Sequence, residues 1–111
     1  MGSEMCIRDR YCEILEMTEQ VSSNIAGYEI NISCPNVNVG GMEFGVDCDL
    51  TEQLTSSLRK VTDRLLIMKL SPNVTDIAAI AVAAEKGGAD ALSAINTLVG
   101  MSINTLSLIH I

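Results

Sequence analysis

An α/β fold built on parallel strands is predicted by three observations. Apolar periodicity runs along the chain in the order helix, strand, helix, strand, helix, strand. Each strand-to-strand connection is long and helical, which a parallel pair requires and a hairpin does not. The run Leu65-Leu66-Ile67-Met68 is continuously apolar, the pattern of a strand buried on both faces. Crossovers of this kind are right-handed. Two architectures fit, a doubly wound sheet or part of a (β/α)8 barrel. With 111 residues the chain has too few strands to close a barrel, which takes about 200 residues or more.

The elements follow in order. Tyr11 to Ala26 reads as a helix, with Ile14, Met17, Val21 and Ile25 at helical spacing and Gly27 as its stop. Tyr28 to Ser33 reads as a strand. A Gly-rich loop, Val37 to Gly45, follows it. Asp49 with Glu52 forms a capping pattern for a second helix, whose Leu50, Leu54, Leu58 and Val61 share one face. Leu65 to Leu70 is the second strand, broken by Ser71-Pro72-Asn73. Thr75 or Asn73 caps a third helix running to about Lys86, with Ile77, Ile80, Ala81 and Ala84 inward and Gly87-Gly88 at its end. Ala91 to Asn96 is the third strand, and a loop begins at Thr97.

Composition narrows the function. Apolar residues make up 48% of the chain and charged residues 19%, ordinary for a small globular domain. A net charge of −7 and three aromatics argue against nucleic acid, which needs clustered cations or stacking platforms. No apolar run approaches the roughly 20 residues that span a bilayer. Met1 to Arg10 has no apolar signal core. A cytoplasmic chain is the expectation. Cys6, Cys12, Cys34 and Cys48 form no C-x-x-C pair, so no metal site is expected. Disulfides are not expected in that compartment either.

Chemistry concentrates at the carboxyl ends of the strands. Asn31-Ile32-Ser33-Cys34-Pro35-Asn36 packs two carboxamides, a hydroxyl and a thiol beside a stiff turn. Carboxamides donate and accept without charge, as a planar polar ligand requires, and a thiol beside them can move a proton. Lys69 closes an otherwise apolar strand. It either snorkels to the rim or fixes a positive charge against an electron-rich ring such as a flavin. Asn96-Thr97 follows the third strand and either caps a turn or completes a polar cage. Ser71 and Asn73 read as turn and capping groups. Carboxyl ends of neighbouring parallel strands converge on one side of a sheet, where ligands bind in both candidate architectures.

Three motifs now stand in order: Asn31-Ile-Ser-Cys-Pro-Asn36 with Gly40-Gly41, Met68-Lys69-Leu-Ser-Pro-Asn73, and Ile95-Asn96-Thr97 with Gly100. Together they make the segment from about Tyr28 to Asn104 resemble the dihydroorotate dehydrogenases, flavin enzymes of pyrimidine synthesis. Cys at position 34 resembles the soluble class 1 enzymes, and the Asn-Val-x-x-Gly-Gly loop resembles the class 1B catalytic subunits. The resemblance implies a partial (β/α)8 barrel, with these strands as its fourth, fifth and sixth. It implies that Cys34 is the base that deprotonates C5 of dihydroorotate while hydride leaves C6 for FMN. By the same resemblance Asn31 contacts FMN and substrate, Lys69 and Ile95 contact FMN, and Asn36, Asn96 and Thr97 bind the substrate.

Class 1B further implies a homodimer of catalytic subunits joined to an electron-transfer subunit that carries FAD and a [2Fe-2S] cluster and reduces NAD+. A class 1A enzyme would instead be a homodimer using fumarate. The pyrimidine-reducing domain of dihydropyrimidine dehydrogenase and an inactive α/β interaction module are the alternatives.

Residues 11–104 are expected to be a central fragment of an FMN-binding barrel. Residues 1–10 and 105–111 are expected to be non-native tails, because they resemble translated adapter sequence and fit neither neighbouring pattern. His110 in the second tail is assigned no role. The earlier strand–helix units of a barrel and its phosphate-binding loops are expected to lie outside this fragment.

Overall fold

The computed structural model describes residues 7–33, 44–106 and 109–110. Its order is α1 (Ile7–Val21), β1 (Gly27–Asn31), a 3-10 turn (Phe44–Val46), α2 (Cys48–Val61), β2 (Leu65–Leu70), α3 (Ile77–Gly87), β3 (Ala91–Ala94) and a short pair, β4 (Ile103–Asn104) and β5 (Ile109–His110). Strands β1, β2 and β3 form one parallel sheet in that order. The antiparallel ribbon β4–β5, with Ile103 opposite His110, is an element the sequence pattern does not announce.

Strand order is sequential, and α2 and α3 pack against each other on the same face of β2. Consecutive units of a (β/α)8 barrel have this arrangement, and one half of a doubly wound sheet shares it. In a barrel the helices lie outside and the opposite face points inward.

The core lies between sheet and helices. Leu66, Met68 and Leu70 of β2 point at the helices and are buried, as are Ile30 and Ile32 from the first unit. Leu54 and Leu58 of α2 and Ile80 and Ala84 of α3 meet them. Leu50, Val61, Ile77 and Ala81 flank this cluster, so both helical stripes lie on the predicted faces. Each large side chain buried here contributes about 1.5–3 kcal/mol of transfer free energy.

β2 departs from the expectation of burial on both faces. Leu65 is 46% exposed, and Ile67 and Lys69 are half-buried. Only the helix side is covered among the described residues, and the inward face stays open.

α1 departs further. It starts at Ile7 and ends at Val21, earlier at both ends than predicted. The expected inner residues Ile14, Met17 and Val21 are 64%, 58% and 85% exposed. The buried residue is Leu15, with Tyr11 and Cys12 packed beside the core. Polar anchors decide this rotation. The Tyr11 hydroxyl donates to the Asn31 carbonyl at 2.7 Å, and its ring meets Phe44 edge-on at 6.1 Å. One turn past Leu15, Glu19 accepts from Thr62 and Arg64.

The caps also move. Asp47, not Asp49, caps α2, its carboxylate accepting from the Leu50 N–H at 2.9 Å. The 3-10 turn sets this position, because the buried Thr51 hydroxyl donates to the Phe44 carbonyl at 2.5 Å. Asp76, not Thr75 or Asn73, caps α3 by accepting from the Ala79 N–H. Asn73 is engaged elsewhere. Gly88 closes α3 at φ 112°, a left-handed position that glycine takes without a Cβ penalty.

Candidate active site

Each end of the sheet carries its own polar network. At the amino ends of the strands the groups are charged. Arg59 donates to the Asp90 carboxylate at 2.7 Å and to the carbonyls of Thr62, Arg64 and Gly88. Asp90 also accepts from the Leu66 N–H at 2.9 Å. That backbone bond, and next the guanidinium, hold its carboxyl below the ordinary value. Glu19 is held low first by the Thr62 hydroxyl and then by Arg64. Tyr28 is pushed up first by burial of its hydroxyl and next by the Glu19 carboxylate beside it. These groups lock turns together, the role expected of the amino-terminal rim.

Among the described residues, the carboxyl ends carry neutral carboxamides and hydroxyls with a single cation, Lys69. Asn31 lies beside Lys69, and Lys69 beside Ser93, in the strand register. Parallel register partners project to the same side, and neighbours along a strand alternate. Ile30, Met68 and Leu92 go toward the helix side, so Asn31, Lys69 and Ser93 form one row on the inward face. Lys69 is half-buried and makes no ion pair among the described residues.

Above that row the hydrogen bonds run across the sheet. The Asn31 Oδ1 accepts from the Ser33 N–H at 3.0 Å and from the Ser33 hydroxyl at 2.6 Å. The Ser33 hydroxyl accepts from Asn96 Nδ2 at 2.5 Å. Asn96 itself is placed by its N–H, which donates to the Leu70 carbonyl at 2.9 Å. Asn73 ties down the loop beyond. Its Nδ2 donates to the Thr97 carbonyl and its Oδ1 accepts from the Val99 N–H, both at 2.9 Å.

The structure therefore brings Asn31, Lys69 and Asn96 to one end of the sheet. Ile95 and Thr97, both exposed, flank Asn96 on the same segment. Cys34 and Asn36, together with Gly40-Gly41, lie outside the described residues. Sequence reasoning missed Ser33 as a link between carboxamides and Asn73 as a loop clamp. Both stand inside the quoted motifs, but a hydroxyl and a turn Asn carry no periodic signal.

The donor set suits a flat heterocycle with carbonyl and N–H edges. Carboxamides match such edges, and a lone ammonium balances partial negative charge on a ring. FMN and a pyrimidine both have this character, and the residues present fit them. Among the described residues no cluster of His, Cys, Asp and Glu could hold a metal ion, and no helix is long and apolar enough to cross a membrane. A cavity of about 400 Å³ lies away from this end, between Arg8 and the polar face of α2. Both signs of charge line it, so it selects no ligand charge.

Comparison with known proteins agrees with the motifs. The profile of the family "Dihydroorotate dehydrogenase" matches residues 3–110. The chain is 50% identical over 92 residues to the dihydroorotate dehydrogenase B (NAD(+)) catalytic subunit of Caldicellulosiruptor saccharolyticus, covering 83% of this chain and 31% of that protein. It is 49% identical over 94 residues to the subunit of the same name from Alkaliphilus oremlandii, covering 85% and 30%. For that of Malacoplasma penetrans the identity is 44% over 99 residues, covering 89% and 32%. The chain thus spans about three tenths of the length of the curated relatives it matches. With the profile matched over nearly its whole length and half the aligned residues identical, this chain belongs to the dihydroorotate dehydrogenase family.

Proposed function

We propose that the full-length protein containing this segment oxidises dihydroorotate to orotate in pyrimidine synthesis, as the catalytic subunit of a class 1B enzyme. The observation that carries this reading is the polar end of the sheet. An ammonium sits in register between an amide and a hydroxyl, and a hydrogen-bonded chain joins Asn31 to Asn96 above it. Relatives named as NAD+-linked catalytic subunits favour class 1B over the fumarate-using class.

The residues divide the work as follows. Cys34, which follows Ser33 directly in the chain, takes the proton from C5 of dihydroorotate. Asn31, Asn36, Asn96 and Thr97 hold the substrate ring. Lys69 balances charge on the isoalloxazine of FMN, and Asn31 and Ile95 line it. FMN, when bound, supplies the two-electron acceptor for the hydride from C6. A second subunit bearing FAD and a [2Fe-2S] cluster relays electrons to NAD+. The assembly is a homodimer of catalytic subunits with that partner, in the cytoplasm.

The test is Cys34→Ala in the full-length protein. General-base catalysis is worth about 10²–10⁴-fold, so dihydroorotate oxidation falls by that factor while orotate binding and flavin content stay. Cys34→Ser is slower than wild type, because a hydroxyl is a much weaker acid than a thiol with an ordinary pKa of about 8.5. Unchanged turnover in Cys34→Ala removes Cys34 from the mechanism.

A further inference from the structure

The orientation of a carboxamide decides which edge of a ring it can read. Asn31 and Asn96 have theirs set by one residue, Ser33. The Ser33 backbone N–H has no choice of role, because it can only donate. It lies 3.0 Å from Asn31 Oδ1, so the atom it meets is an oxygen. The Ser33 hydroxyl lies 2.6 Å from the same oxygen. Two oxygens at that distance need a proton between them, and Asn31 Oδ1 has none. The Ser33 proton is therefore committed to Asn31. Its lone pairs are left facing Asn96 at 2.5 Å, so Asn96 must present its NH2 there.

One polar atom of each carboxamide remains without a hydrogen bond among the described residues. These are Asn31 Nδ2, a donor only, and Asn96 Oδ1, an acceptor only. Together they offer an NH2 donor and a carbonyl acceptor, the complement of a ring that presents a carbonyl and an N–H. Inverting either amide would set like against like.

We infer that Ser33 is a positioning residue that fixes both carboxamides, Asn31 through its backbone N–H with support from the hydroxyl and Asn96 through the hydroxyl, and so selects a ring bearing a carbonyl and an N–H. This rests on the proposed substrate class and adds the residue that sets its recognition. Ser33 touches the two amides and acts only through them.

The experiment uses the full-length protein with bound flavin and measures orotate binding by calorimetry, with dihydroorotate turnover alongside. Wild type binds orotate; if it does not, the functional reading fails and the role of Ser33 is not what failed. Given wild-type binding, Ser33→Ala weakens orotate about tenfold, the loss of one to two hydrogen bonds of preorganisation. Ser33→Thr, which keeps the hydroxyl, restores most of it. The loss is subadditive with Asn96→Ala, because both substitutions break one chain. Equal binding by Ser33→Ala, equal losses in the Ala and Thr variants, or full additivity with Asn96→Ala would each overturn the inference. Should Ser33→Ala not fold, Ser33→Cys gives the same reading. Its thiol is a weak donor and acceptor, so orotate weakens, and wild-type affinity in that variant overturns the inference.

Discussion

Asn73 and Thr97, on loops that follow different strands, are joined by a 2.9 Å hydrogen bond from the Asn73 carboxamide to the Thr97 carbonyl. The other end of the same carboxamide accepts from the Val99 N–H. One side chain therefore brackets the loop that carries Asn96 and Thr97, the residues proposed to bind substrate. The cap of α3 is made instead by Asp76, which directly precedes the helix.

This bracket predicts a binding effect without a folding effect. Each of the two hydrogen bonds is worth about 0.5–1.5 kcal/mol. Asn73→Ala in the full-length protein is expected to weaken orotate binding about tenfold, with flavin content unchanged. Asn73→Asp keeps the bond from Val99 and loses the one to Thr97, so its effect is intermediate. Calorimetry across the three proteins checks the order, and equal affinities would exclude the clamp.

The charged network at the opposite end predicts a pH dependence. Asp90 and Glu19 are held below their ordinary values of 3.8 and 4.5. A carboxylate lowered on folding stabilises the protein above its unfolded pKa, and that contribution is lost as pH falls through the folded one. Wild type is therefore more stable than Asp90→Asn or Glu19→Gln at neutral pH. The gap closes as pH drops below about 4, the carboxylate range. Urea midpoints measured at several pH values report this, and a gap constant with pH would refute it.

Gly87 predicts a packing penalty. A Cβ at this position would meet the Thr55 Cβ at 2.6 Å and the Glu52 carbonyl oxygen at 2.7 Å, both on α2. The two helices touch through backbone here, so nothing flexible can yield. Gly87→Ala is expected to destabilise by about 1–3 kcal/mol, the cost of overpacking, despite alanine's better helix propensity. Thermal melts check the sign.

The open sheet predicts self-association of the isolated chain. β1 and β3 each have one unpaired parallel edge within the described sheet. Leu65, Leu92 and Ile95 are each more than 40% exposed, at 46%, 43% and 46%. Sedimentation of the 111-residue chain alone should show oligomers or aggregates. A soluble monomer with a sharp cooperative melt would contradict this.

Much of the architecture was legible from residue pattern alone. The runs Leu50–Val61 and Ile77–Ala84 carry a strong helical period, and each buries the side expected of it. The strand from Leu65 to Leu70 was legible to the residue, since an apolar run between two breakers leaves little choice. The convergence of Asn31, Lys69 and Asn96 followed from parallel topology, which always gathers carboxyl ends together. Tertiary structure decided what periodicity cannot encode. It rotated α1, because Tyr11 and Glu19 find fixed polar partners while Ile14, Met17 and Val21 find no described surface to bury against. It moved both helix caps, because a cap depends on where the chain enters. It also chose the orientation of two carboxamides through Ser33. Such an orientation is a choice between near-isosteric states, made by hydrogen bonds between residues far apart in the chain, and no local pattern of residues records it.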